Sequence, residues 1–189
     1  MLQKKDRSKL LFFKESSFKV AELIFNRPNT SFHIRELARK TGLSTTAVIR
    51  AAEELAGFSI VSIEKTALTT NIKADLESDT YMFYKKVFNL YRLEQYNILS
   101  TIKEAYRAKT IVLFGSFAKG EDVEGSDVDI LVLTNSKEKV DLNEELEAYK
   151  KVLNRDINLH VLRSIDKSYT EFKNALANGI VLHGYLKVV

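Results

Sequence analysis

Residues 110–133 set two unlike devices on either side of a short spacer. Thr110-Ile-Val-Leu-Phe114 is an unbroken apolar run, the pattern of a strand buried on both faces. It leads directly into Gly115-Ser116, and Phe117-Ala118-Lys119-Gly120 turns into a short helix. A second apolar run then opens with Ser126-Asp127-Val128-Asp129. Carboxylates at i and i+2 of a strand point to the same face, because side chains alternate with period two. A glycine and a hydroxyl at a helix start offer backbone N–H groups and a dipole to an anion. The pair describes a place to hold a phosphate chain beside a divalent cation.

Composition narrows what can surround such a place. The 189 residues allow one large domain or two small ones. A hydrophobic content of 45% supports a packed core, and one proline with seven glycines argues against disorder. The chain has no cysteine, which excludes disulfides, thiolate metal sites and a cysteine nucleophile. Apolar runs are too short to span a membrane, and no signal-peptide pattern opens the chain. A soluble, cytoplasmic protein without a membrane partner is expected.

Charge divides along the chain. Residues 1–80 carry 13 Lys and Arg against 10 Asp and Glu, residues 81–109 carry 6 against 2, and residues 110–189 carry 10 against 13. A basic first half suggests contact with a polyanion there; ordinary scatter of surface charge explains the same counts.

The first half carries its own pattern. Phe18 to Phe25 reads as a largely buried helix, ending before Asn26-Arg-Pro-Asn. Ile34, Leu37 and Ala38 share one face of a second helix capped by Gly42. Ser44 caps a third, whose apolar stripe is Ala47, Val48, Ala51 and Leu55. The link Thr41-Gly42-Leu43-Ser44 gives these two helices the shape of a helix-turn-helix. Ile60 to Lys65 and Thr69 to Lys73 are set to pair as a hairpin.

Residues 16–76 resemble the winged helix-turn-helix domains of prokaryotic transcription regulators. The resemblance implies DNA binding, with Thr45, Thr46, Ile49 and Arg50 towards the major groove and Lys65 and Lys73 on or near the wing. A dimerisation module with the same fold is the alternative. From Tyr81 to Arg107 one long helix or two are expected, with aromatics and basic residues interleaved. Such a stripe is either a nucleic-acid surface or a packed seam, including that of a homodimer.

Further along, Asp141 to Leu153 reads as a helix, and Asp156-Ile-Asn-Leu-His-Val-Leu alternates as a strand. A helix near Asp166 to Asn178 and a short strand at Ile180 to His183 complete the pattern. Residues 95–189 resemble the nucleotidyltransferase superfamily of DNA polymerase β, particularly its minimal branch. Gly115, Ser116, Gly120, Ser126, Asp127 and Asp129 carry that resemblance. It implies an α/β (α+β) chain: the N-terminal winged helix-turn-helix, then a nucleotidyltransferase fold with a small mixed sheet flanked by helices. The divisions expected are a winged domain at 1–78, a helical connector at 79–108 and a transferase domain at 109–189.

The resemblance further implies an NTP substrate and Mg2+, or Mn2+, held by Asp127 and Asp129 as the catalytic and metal-binding carboxylates. Gly115, Ser116, Lys119 and Ser126 would contact the nucleotide, Lys119 standing where relatives often carry arginine. The implied reaction is in-line attack of an acceptor hydroxyl on the α-phosphorus with release of pyrophosphate. The family places a third carboxylate on a later strand, and here Asn158 takes that position. An amide offers a carbonyl oxygen but no negative charge, weakening a second metal site and removing a base. Asp156 and His160 share the face of Asn158, but each lies about 7 Å along the strand. A satisfied strand histidine and a metal ligand or base are the two readings of His160. Three functions remain: an active transferase, a weak or inactive nucleotide-sensing transcription regulator, and an antitoxin-like partner protein.

Overall fold

The computed structural model describes residues 13–166 and 168–187. These divide into two compact units, one ending at Phe88 and the other beginning at Asn89.

The first unit opens with α1 (Glu15–Asn26), β1 (Phe32–His33), α2 (Ile34–Thr41) and α3 (Thr45–Gly57). The α2–α3 link forms as its residues dictate. Gly42 takes a left-handed φ of 70°, and the Ser44 hydroxyl accepts the Ala47 N–H at 3.2 Å. Strands β2 (Val61–Lys65) and β3 (Thr70–Ala74) then pair antiparallel, and β1 adds to the free edge of β3. The sheet order is β1-β3-β2. Two-residue β1 has too little period to be read from sequence. Phe18, Ile24, Phe25, Phe32, Leu37, Val48, Leu55, Ile60 and Ile72 form the core.

Helix α4 (Asp79–Gln95) supplies residues to both units, and α5 (Ile98–Tyr106) belongs to the second. The aromatic-basic stretch is therefore two helices. Its Lys85 is 1% exposed and donates to the Phe25 carbonyl oxygen. That cation is not part of a nucleic-acid surface. No helix among the described residues is long and apolar enough to cross a membrane.

The second unit continues with β4 (Thr110–Phe114), α6 (Gly115–Lys119), β5 (Val128–Leu133), α7 (Asn143–Leu153), β6 (Ile157–Leu162), α8 (Thr170–Ala177) and β7 (Ile180–His183). Its sheet runs β6-β5-β4-β7, with β5 and β6 parallel and the other pairs antiparallel. This is a small mixed sheet flanked by helices, as expected. Period-two alternation divides its core. Ile111, Leu113, Val128, Ile130 and Val132 pack with Ile102, Phe117, Tyr149 and Leu153. Val112, Phe114 and Leu131 pack with Ile165 and Leu176 on the other face. The last helix starts at Thr170 rather than near Asp166, because Asp166 is tied into a turn by the Ser164 hydroxyl at 2.6 Å.

Candidate active site

The expected carboxylates meet at one end of the β4-β5-β6 strands. Asp127 is exposed just before β5, while Asp129 is inside the strand and partly buried. Asp129 pairs in register with Phe114 of β4 on one side and Asn158 of β6 on the other. Gly115 follows Phe114 with φ at 76°, and a Cβ built there would stand 2.7 Å from Asp129 Oδ2. Both the backbone conformation and the close approach of the carboxylate require glycine.

Asn158 ties the two acids together. Its amide nitrogen donates to Asp127 Oδ2 at 2.9 Å and, more weakly, to Asp129 Oδ1 at 3.4 Å. The donated N–H groups lower the repulsion between the two acids. Turning the amide over would present its carbonyl oxygen instead.

His160 reaches further than its place on the strand suggests. It pairs with Leu131, two residues along from Asp129 and on the same face. Its ring extends back until Nε2 stands 3.5 Å from Asp129 Oδ1. Phe114 and Phe172 flank the ring with centroids 5.2 and 5.5 Å away. Part of the imidazole is open to solvent, yet Nε2 itself is shielded and makes no hydrogen bond. The 3.5 Å approach lies within ion-pair reach without the alignment of a hydrogen bond.

The other expected residues fall around this cluster. Ser116 is in the first turn of α6. With only five residues this helix has little macrodipole, so anion attraction there rests on its first N–H groups. Ser126 closes the loop before Asp127: its hydroxyl accepts the Val123 N–H at 3.0 Å. Lys119 is exposed at the far end of α6 and its ion-pair partner is Glu121, at 3.9 Å.

Two groups beyond the motif support the site. Lys150 of α7 pairs with Asp156 at 2.7 Å. Hydrogen bonding and attraction to Asp156 raise the ammonium pKa, with smaller contributions from Glu147 and Asp127. Beneath the loops, Asp122 and Arg155 form a buried ion pair at 3.2 Å, and the Asn89 amide donates to Asp122 at 2.6 Å. Asp122 precedes Asp127 in one loop and Arg155 precedes β6 in another. The Val128 N–H bonds the Asp156 carbonyl oxygen between them at 2.8 Å. No local pattern announces such a pair, whose members are far apart in sequence.

The donors fit one hard divalent cation. Mg2+ usually takes one or two carboxylates from a protein and fills its remaining positions with water and phosphate. Among the described residues no group of three or more His, Asp and Glu side chains is arranged to hold a metal ion. Asp127 and Asp129 are the carboxylates available, with the shielded Nε2 of His160 beside them.

In the first unit Thr45, Thr46, Ile49 and Arg50 are exposed on α3, and Lys65 is exposed at the end of β2. Lys73 is paired with Glu64, which raises the lysine pKa through a hydrogen bond and charge attraction.

Comparison with known proteins agrees with the second unit. The profile of the nucleotidyltransferase domain family matches residues 96–182. A Methanocaldococcus jannaschii protein named "Putative protein adenylyltransferase" is 36% identical over 73 residues, which cover 37% of this chain and 73% of that relative. Two further proteins of that organism bearing the same name are each 55% identical over 31 residues. Those matches span 16% of this chain and 36% and 32% of the relatives. The chain thus spans only about a third of the length of these two. With the antiparallel β4–β5 pair, the Gly115 turn and the paired carboxylates in place, the chain belongs to the nucleotidyltransferase domain family.

Proposed function

We propose that the second unit binds a nucleoside triphosphate with Mg2+ or Mn2+ and transfers its nucleotidyl group to an acceptor hydroxyl. The observation that carries this reading is the close approach of the Gly115 turn to Asp129, with Asp127 and Asn158 around it. Family membership supports nucleotidyl transfer in general. The relatives' shared name points to an adenylyl donor, ATP, and a protein acceptor.

Asp127 and Asp129 would hold the cation beside the triphosphate. Gly115 lets the backbone approach, and the N–H groups at Ser116 meet phosphate oxygens. Lys119 and Ser126 are assigned supporting contacts to the nucleotide. The bound ion would supply charge neutralisation on the triphosphate and its leaving group. The acceptor oxygen bonds to the α-phosphorus, the α–β bridging bond breaks and pyrophosphate departs. Asn158 has no basic oxygen to take the acceptor proton, which passes to water.

Residues 1–78 are read as a winged helix-turn-helix that contacts DNA through Thr45, Thr46, Arg50 and Lys65, joined by 79–108 to the transferase at 109–189. The exposure of these four side chains supports that assignment. A salt-dependent mobility shift tests it, since phosphate contacts weaken as salt rises; no shift on any fragment returns the unit to a dimerisation role.

For the transferase, α-labelled ATP is incubated with the full chain, divalent cation and candidate protein acceptors. Label moving to protein in the parent but not in Asp127→Ala or Asp129→Ala is the expected result. A second reading, a nucleotide sensor without turnover, is favoured by Asn158 in the third acidic position. Tight metal–NTP binding with no transfer would establish it, and no binding would sink both.

A further inference from the structure

We propose that His160 is a metal ligand, so that an ion held at the Asp127 and Asp129 carboxylates takes its Nε2 as a further protein donor and the site prefers Mn2+ over Mg2+. This inference rests on the nucleotide–metal reading above and deepens it.

The first observation is the state of the nitrogen. His160 Nε2 is shielded from water and has no hydrogen-bond partner. Such a group costs free energy unless something else satisfies it. The second observation is distance. Nε2 and Asp129 Oδ1 are 3.5 Å apart, a gap that one ion with bonds of roughly 2.0–2.2 Å can bridge with a small movement of either side chain. The third is support. Phe114 and Phe172 hold the ring from two sides, so its aim is set by packing.

Asn158 explains why a nitrogen donor would serve here. With an amide in place of a third acid, the chain offers two carboxylates and one neutral amide. His160, on the same face of the same strand, brings another donor within reach. Asp127, Asp129 and His160 do not stand as a preformed cluster, so the ion draws them together, with phosphate oxygens and water completing the shell. Mg2+ strongly prefers oxygen, whereas transition-metal ions accept imidazole, so this donor set biases the choice of ion.

The test uses the full chain labelled with 15N-histidine, loaded with Mn2+ and a non-hydrolysable ATP analogue, and read by pulsed electron paramagnetic resonance. The expected result is a 15N coupling of a directly bound imidazole in the parent. It is absent from His160→Phe, which keeps an aromatic ring between Phe114 and Phe172. In that variant the preference for Mn2+ over Mg2+ in direct binding falls about tenfold or more, since loss of even an outer-shell partner costs that much. His160→Gln is read the same way should the phenylalanine variant fail to fold. Mn2+ bound with the nucleotide but without 15N coupling, or with the same coupling in the variants, overturns the inference alone. An analogue–Mn2+ complex that never associates with the protein overturns the nucleotide–metal reading, and this inference with it.

Discussion

Arg155 Nη2 stands 3.2 Å from Asp122 Oδ2, and the two side chains retain only 2% and 1% of their accessible surface. Removing one partner strands the other charge in the interior, whereas removing both does not. Arg155→Met is therefore expected to destabilise the second unit by about 3–5 kcal/mol. The double variant Asp122→Leu/Arg155→Met recovers most of that loss. Urea denaturation of the four proteins of the cycle checks it, and equal losses in single and double variants would refute it.

Asn158 donates to both Asp127 and Asp129, so an acid there meets two like charges. Each added carboxylate pair costs about 1 kcal/mol at 4 Å in a water-like dielectric. Asn158→Asp is expected to melt below the parent in chelator and to gain more from added Mg2+ than the parent does. Thermal melts with and without the cation show whether the difference has that sign.

Gly115→Ala places a methyl group against Asp129 Oδ2 and an L-residue at positive φ. The backbone term alone costs about 1–2 kcal/mol. Displacement of Asp129 adds a loss of metal affinity that a purely conformational penalty would not produce. Calorimetric titration with Mn2+ separates the two; unchanged affinity in a folded variant would show that the turn does not position the acid.

Lys150 has its pKa raised above the ordinary lysine value of 10.5, first by its hydrogen bond to Asp156. A raised folded-state value stabilises the fold below the unfolded value, and this contribution disappears as pH climbs through the folded one. The window lies above pH 10.5. In an NMR titration of labelled lysine, the Lys150 resonance should turn over later than in Asp156→Asn. Coincident midpoints would discount the pair.

The strand-turn-strand frame was legible because its signals are local. An apolar run, a glycine turn and acids at i and i+2 fix β4, α6 and β5 with little help from the rest of the chain. The family resemblance singled out Asn158, and the β5–β6 register sets it opposite Asp129. What escaped sequence reading depends on side-chain reach and on distant partners. Strand spacing alone set His160 about 7 Å from Asn158, whereas its ring spans back to Asp129. Nothing near Asp122 in sequence singles it out, and only the fold brings Arg155 to it. Interleaving left Lys85 either on a nucleic-acid surface or in a packed seam, and its bond to the Phe25 carbonyl oxygen decides against the first.

The parallel pairing of β5 with β6 has a consequence for how such a chain can diversify. Parallel neighbours require a crossover, and here residues 134–156, including α7, provide it. Asp129 and Asn158 are aligned by the ladder itself, with the Val128–Asp156 hydrogen bond at its entrance. Residues 134–142, on the way into α7, leave β5 at the opposite end of the ladder from that entrance. A longer or differently charged segment there changes that surface of the unit while the carboxylate end of the ladder keeps its register. The topology thereby separates the part of the unit free to change its partner from the part that must keep its chemistry.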